Sequence, residues 1–329
     1  MRSPARVGAL GFVLLLAATA QGFAQRPEAA VAPAPEAEYP PGRINKVIEL
    51  WEAGQPVYYA SGGGGYEEGK ALAQTWADYV LYDMEHHPFD ITRLREFMRG
   101  LVDGGPTPSG HRTPVVIVTL PAPATDEASM RANVWMAQQA LAAGVHGIHI
   151  VRARSPAAVK ALVQAIRYPI HKQAIDVLGE GLRGWGSQGF AADIWGLDDQ
   201  EYLRIADVWP LNPEGEIVVG VKIEDPHALE NAEATTKVPG IAFAEHGPRD
   251  MGLSYGYLEG RADPPVPPEV QAAGERVLAA TKAAGIFFLD NVLPDNVERR
   301  IDEGVMIGAG QVEEAAEVGR RHTGRKMPW

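Results

Sequence analysis

The sequence predicts a (β/α)8 barrel, an α/β fold, and three observations predict it. Eight short β-rich runs alternate with helical stretches from Arg43 to the end of the chain. Most of those runs are apolar at consecutive positions, as strands are when one face lines a barrel interior and the other lies under helices. Polar residues gather just after the runs, and in a barrel all such strand ends share one rim, where active sites are built. An open doubly wound sheet permits the same alternation, but it spreads those ends along an edge some tens of ångströms long, at ~4.8 Å per strand.

The elements follow in order. MRSPAR leads into VGALGFVLLLAATA, a basic start, a short apolar core and then small residues, which is the pattern of a secretory signal over 1–24. Cleavage is placed after Ala20 or Ala24, and the apolar run is shorter than the ~20 residues of a membrane span. Residues 25–42 are Ala/Pro-rich and read as an extended tether. A single barrel domain is expected over 43–329, with an N-terminal helix before the first strand. The strand runs are VYYA (57–60), YVLYD (79–83), PVVIVTL (114–120), GIHIV (147–151), IVVGVKI (217–223), GIAFAE (240–245), IFFLD (286–290) and VMIG (305–308). Between them ITRLREFMRGLV, ASMRANVWMAQQALAAG, PAAVKALVQAIR, PHALENAEATT, PPEVQAAGERVLAATKAAG and DNVERRIDEG repeat apolar residues at three- and four-residue spacing. A helix from Gln311 to about His322 closes the chain. One connection, 168–216, is long and rich in Gly, Pro and Trp, and loops of that length are usually lids or binding loops. It carries Arg183 between glycine-rich turns.

Composition narrows the function. The chain has 329 residues, 46% hydrophobic and 22% charged, enough apolar content for a sizeable core. Its formal charge is −12 and no segment concentrates Lys and Arg on one face, which argues against nucleic-acid binding. With no cysteine, it can form neither a disulfide nor a thiolate metal site.

Several motifs invite chemistry. Gly64 to Lys70 fits G-x4-G-K after a strand, but Ala71 stands where a magnesium-binding hydroxyl belongs and Glu67 and Glu68 would face the phosphates, so a flexible βα turn is expected. His146 and His149 lie three apart on a strand and therefore point to opposite faces, so they cannot share one ion; one is expected at the surface and His149 inside the barrel. Glu224 closes the fifth run and Asp250 follows the sixth. Alone, Glu224 reads as half of a salt bridge. Paired with Asp250 on the neighbouring strand, it repels a second anion unless one is protonated or a cation lies between them, and oxygen-only ligation suits Mg2+ or Mn2+. After the second run come Asp83, Glu85 and His86 within four positions.

Four pieces together resemble the HpcH/HpaI aldolase and citrate lyase family. DMEHHP (83–88) is similar to its D-x-E-H-x-P, LRGWGS (182–187) to its R-G-x-G-S loop, KIE (222–224) to the strand ending in a metal-binding Glu, and GPRD (247–250) to its G-P-x-D. The resemblance runs from about Arg43 to His322 and implies a TIM barrel of the phosphoenolpyruvate/pyruvate-binding type. It implies a lyase that cleaves or forms a carbon–carbon bond of a hydroxylated 2-oxo acid through a metal-bound pyruvate enolate. In that reading Glu224 and Asp250 hold the divalent cation, Mg2+ or Mn2+. His86 is the general base, with Glu85 and Asp83 to orient it, and Arg183, Lys222, Arg249 and Arg152 are the candidates to bind substrate. Relatives suggest a homotrimer or homohexamer, and the leader a secreted or periplasmic location with no membrane attachment after cleavage.

The sequence departs from the family at three places. PVVIVTLPAPATDEASM (114–130) contains no arginine where the aldolases place one after strand three. The acid that supports the histidine from the next helix is missing from QQALAAG (138–144). Lys222 and Arg249 replace a neutral amide and a small residue beside the metal ligands. A bidentate guanidinium cannot move several ångströms and keep its contact, so the site must be rewired. A metal-dependent hydrolase or decarboxylase, or a non-catalytic carboxylate-binding barrel, therefore stands beside the lyase reading.

Overall fold

Eight parallel strands close into a ring: β1 (Val57–Gly62), β2 (Tyr79–Asp83), β3 (Val115–Pro123), β4 (Gly147–Val151), β5 (Ile217–Ile223), β6 (Phe243–His246), β7 (Phe287–Asn291) and β8 (Val305–Ala309). This is a computed structural model, and it describes residues 39–260 and 265–328. The leader expected over 1–24 and most of the tether expected over 25–42 lie outside these described residues. Neighbouring strands pair in sequence order, β8 returns to β1, and β4 pairs β5 through Gly147↔Val218 to Ile150↔Val221. A two-residue strand, Val208–Trp209, adds to β5 outside the ring count. The predicted barrel is therefore the observed one.

The alternation within each strand explains the apolar runs. Val57, Tyr79, Val115, Ile117, Val218, Phe243, Leu289 and Ile307 share the cluster inside the ring, with Tyr59, Leu81 and Phe287 packed against it. Val80, Val116, Val118, Ile148, Ile150, Val219, Val221 and Phe288 face the helices instead. Both faces are thus removed from water. Gly220 is required between them: a Cβ there would lie 2.0 Å from Cζ of Phe243, whose ring takes that space.

The N-terminal helix, Lys46–Glu52, seals the lower end. Asn45 caps it, accepting from the backbone N–H of Val47 and Ile48, and its amide donates to the carbonyls of His146 and Glu216 at the feet of β4 and β5. Trp51 then stacks on Phe287 at 4.3 Å. The rim at the opposite, C-terminal end carries the chemistry.

Three expectations need correction. The 168–216 connection is not a lid. It contains helices Ile175–Leu178, Gln188–Trp195 and Asp199–Ile205, whose Ala191, Trp195 and Tyr202 belong to the main core. Trp195 Nε1 donates to the carbonyl of Gly144 at 2.8 Å, below the barrel. Abundant glycine and proline hid short helices whose apolar residues supply the burial energy. Likewise the glycine-rich stretch after β1 leads directly into a helix, Tyr66–Leu72. Finally, neither histidine near β4 is at the surface: His146 is buried, stacked on Trp195 at 5.3 Å, and its Nδ1 accepts from the backbone N–H of Val116.

Candidate active site

The turn after β2 is organised by one carboxylate. Asp83 Oδ1 accepts from the backbone N–H of Glu85 (2.8 Å) and His86 (3.0 Å), as an aspartate does in a local side-chain turn, and its Oδ2 lies 2.9 Å from His86 Nδ1. That contact occupies Nδ1 and leaves Nε2, 3.9 Å from Glu85 Oε1, facing the rim. The His86 side chain is 63% exposed. Burial alone would lower its pKa, but the Asp83 bond and the charges of Glu85 and Asp83 outweigh it and raise the group above its ordinary value. Asp83 shifts down: burial works against its charge, while the His86 and Glu85 contacts favour it. Asp83→Asn is therefore expected to move the acidic limb of the activity–pH profile to lower pH, because His86 loses its anionic partner; a limb that stays in place would show that His86 is not the titrating base.

Opposite this turn, β5 ends in Lys222 and Glu224. The Lys222 ammonium donates to Glu85 Oε2 at 2.8 Å and lies 3.1 Å from Glu224 Oε2. Burial opposes its charge, but Glu245, Glu224 and Glu85 together raise its pKa far above the ordinary lysine value. Glu224 is fully buried, and burial raises its pKa despite Lys222. Its Oε1 accepts from the backbone N–H of Arg152 at 2.9 Å, whereas Oε2 accepts no aligned hydrogen bond. Gly247 makes room for this side chain, since a Cβ there would sit 2.6 Å from Glu224 Cβ.

Arg152 connects the two predicted metal ligands. Its backbone is left-handed, with φ of 50°, a conformation costly for a residue with a Cβ. That turn aims its N–H at Glu224, and its Nη2 lies 3.8 Å from Asp250 Oδ1 in the first turn of helix Pro248–Ser254. Glu85, Lys222, Glu224, Arg152 and Asp250 thus form one chain of contacts. Among the described residues no three His, Asp or Glu side chains are gathered as a metal cage. Two carboxylates nevertheless fit a hard cation that completes its shell with water and substrate, and Glu224 Oε2, which accepts no aligned hydrogen bond and has the Lys222 ammonium 3.1 Å away, is the buried oxygen such an ion would share with that ammonium.

Two predicted substrate residues lie elsewhere. Arg183 is buried, donates from Nη2 to the Tyr202 hydroxyl at 2.8 Å and lies 4.5 Å from the Tyr168 ring centre. It ties this part of the long connection to helix Asp199–Ile205, and Gly181 just before it lets the chain pass close to the Arg167 backbone, whose carbonyl oxygen would lie 2.5 Å from a Cβ there. Arg249 lines a separate cavity of about 720 Å³ between helices Pro268–Ala284 and Val297–Asp302. Consecutive residues on a helix point about 100° apart, so Arg249 turns away from its neighbour Asp250. The sequence reading missed Glu245, which pairs in register with Lys222 inside the ring and lies 3.4 Å from His149. The alternation in FAEH, with Phe243 inward, is the signal that placed it there.

Residues 69–310 match the family described as HpcH/HpaI aldolase/citrate lyase, and the chain belongs to that family and is an enzyme of the aldolase/lyase class. It is 28% identical over 236 residues to a hydroxypyruvate/pyruvate aldolase of Cupriavidus necator, spanning 72% of this chain and 74% of the relative. A 2-keto-3-deoxy-L-rhamnonate aldolase of Klebsiella pneumoniae is 25% identical over 248 residues, 75% of this chain and 77% of the relative. The crystal structure of a HpcH/HpaI family protein from Burkholderia cenocepacia has the same fold, with TM-score 0.62 and 24% identity over 84% of this chain and 97% of that one.

Proposed function

We propose that the protein cleaves, or in reverse forms, the C3–C4 bond of a hydroxylated 2-oxo acid, giving pyruvate or a similar 2-oxo acid and an aldehyde. The observation that carries this reading is the buried Glu224 oxygen, 3.1 Å from the Lys222 ammonium, at the same rim as the Asp83–His86 pair. Glu224 and Asp250 would hold a divalent cation, Mg2+ or Mn2+. When bound, that ion supplies Lewis acidity for negative charge developing on the substrate's keto oxygen.

The chain's own groups do the rest. His86 Nε2 takes the C4 hydroxyl proton, a step suited to a base of near-neutral pKa, while Asp83 fixes the ring through Nδ1. Lys222 and Arg152 supply the positive charge that strand three lacks and orient the substrate carboxylate. Glu85 holds the Lys222 ammonium in place. We further propose that the enzyme works outside the cytoplasm, as its leader suggests, and assembles as a trimer or hexamer.

The test is a panel of 4-hydroxy-2-oxo acids, with oxaloacetate and an acyl thioester beside them, offered to metal-free protein and to protein reloaded with Mg2+ or Mn2+. Aldehyde release restored by the metal is expected. Release of CO2 or thiol instead would favour the decarboxylase or hydrolase chemistry, and no turnover would leave only a binding barrel.

Lys222 gives a further expectation. Its ammonium lies beside the carboxylate proposed to hold the cation, and like charges a few ångströms apart repel by about 1–4 kcal/mol at a protein surface. Lys222→Gln is expected to tighten Mn2+ binding by roughly tenfold, the lower end of that range, while raising KM for the oxo acid. Titration calorimetry showing unchanged Mn2+ affinity would place the ion elsewhere.

A further inference from the structure

Beneath the rim, the barrel interior holds acid–base groups that the mechanism above does not use. Glu245 on β6 pairs in register with Lys222, and His149 on β4 pairs with Gly220. His149 and Glu245 meet on the inner face of the ring, His149 Nε2 lying 3.4 Å from Glu245 Oε2 and its ring 5.0 Å from Phe243. His149 is fully buried, and its ring nitrogens make no well-aligned hydrogen bond to a side chain. The Glu245 side chain retains 19% exposure, so it borders open space. In this eight-stranded ring β2 and β6 stand opposite each other. His86 therefore enters from one wall and Glu245 from the facing one, and Glu85 on Lys222 shows that the walls converge.

We propose that Glu245 is a second proton-transfer group of the lyase, delivering a proton to C3 of the substrate from the wall opposite His86, with His149 as its positioning residue. This inference rests on the lyase reading. His86 takes the C4 hydroxyl proton and the C3–C4 bond breaks. Its electron pair becomes the C2=C3 bond as the C2 oxygen takes the negative charge, and the aldehyde leaves. C3 then takes the Glu245 proton, and the C2=O bond re-forms. His86 returns its proton to solvent and Glu245 takes one back, which closes the cycle. Burial foremost, opposed by Lys222 and aided by Glu224, Glu85 and Asp290, pushes Glu245 up to about 7.

The test separates bond cleavage from enolate protonation. Single-turnover aldehyde release from a 4-hydroxy-2-oxo acid is measured beside loss of the pyruvate methyl signal in heavy water with Mn2+, followed by proton NMR. Glu245→Gln is expected to keep first-turnover cleavage within a few-fold while slowing methyl exchange by about 10²-fold, the contribution of a positioned acid. Glu245→Asp, which retains the carboxyl, should recover part of the exchange. His149→Phe, which keeps a ring but removes both nitrogens, should slow exchange without changing cleavage. Exchange at the wild-type rate in Glu245→Gln, or equal losses of cleavage and exchange, would overturn the proposal. If the wild type neither cleaves nor exchanges, the lyase reading fails and this proposal with it.

Discussion

Replacing His86 by alanine is expected to lower kcat for carbon–carbon cleavage by roughly 10²- to 10⁴-fold, the usual contribution of general-base catalysis. Stability should hardly change, because the ring is mostly exposed and its hydrogen bond is to a neighbour in its own turn. Affinity for Mn2+ should also hold, since the proposed ligands Glu224 and Asp250 come from the end of β5 and the helix after β6. Steady-state kinetics, thermal unfolding and a metal titration on one preparation distinguish these effects. Loss of all three properties together would mean that the histidine is structural and that the base is another group.

Asp78 should have the largest effect on stability. It is fully buried below the barrel and faces three buried cations: Arg325 Nη1 at 2.6 Å, Arg320 Nη2 at 3.3 Å and Lys46 Nζ at 3.4 Å. Its Oδ2 also accepts from the backbone N–H of Tyr58 at 3.0 Å. Lys46 belongs to the N-terminal helix and both arginines to the C-terminal segment, so one carboxylate clasps the two ends of the domain. Asp78→Ala strands these cations out of water and is expected to cost about 3–5 kcal/mol, the range for a buried pair that loses one partner. Burial opposes the Asp78 charge, but Arg325, Arg320 and Lys46 hold its pKa well below the carboxylate range. A depressed folded pKa means that the unfolded chain binds the proton more readily. The contribution of Asp78 is therefore complete above the unfolded value, near pH 4, and is lost as pH falls below it. Denaturant unfolding from pH 7 to pH 3 should show this loss in the wild type and a shallower one in Asp78→Ala. Equal slopes would mean that folding leaves the Asp78 pKa unchanged.

Much of the architecture was legible before the structure. Apolar runs of four to seven residues separated by helical periods dictate strands buried on both faces, and eight of them close a ring. The turn at 83–88 was legible because its groups are contiguous: Asp83 can reach the backbone of Glu85 and His86 in almost any arrangement of the turn. Glu224 was legible because a charge ending an apolar strand must lie at its mouth.

Contacts across the ring were not legible in the same way. Lys222 is a lone basic residue in sequence, and it becomes the partner of Glu85 only because β2 and β5 lean over the same opening. Glu245 and His149 lie 96 positions apart and meet only because β4 and β6 flank β5 in the closed ring. Arg183 resembled a ligand-binding arginine and was drawn instead into a pocket of tyrosine rings. Local chemistry and periodicity, which act over a few residues, are written in the sequence directly. Which charged groups neutralise one another depends on ring closure and side-chain direction, and those arise only when distant strands pack together.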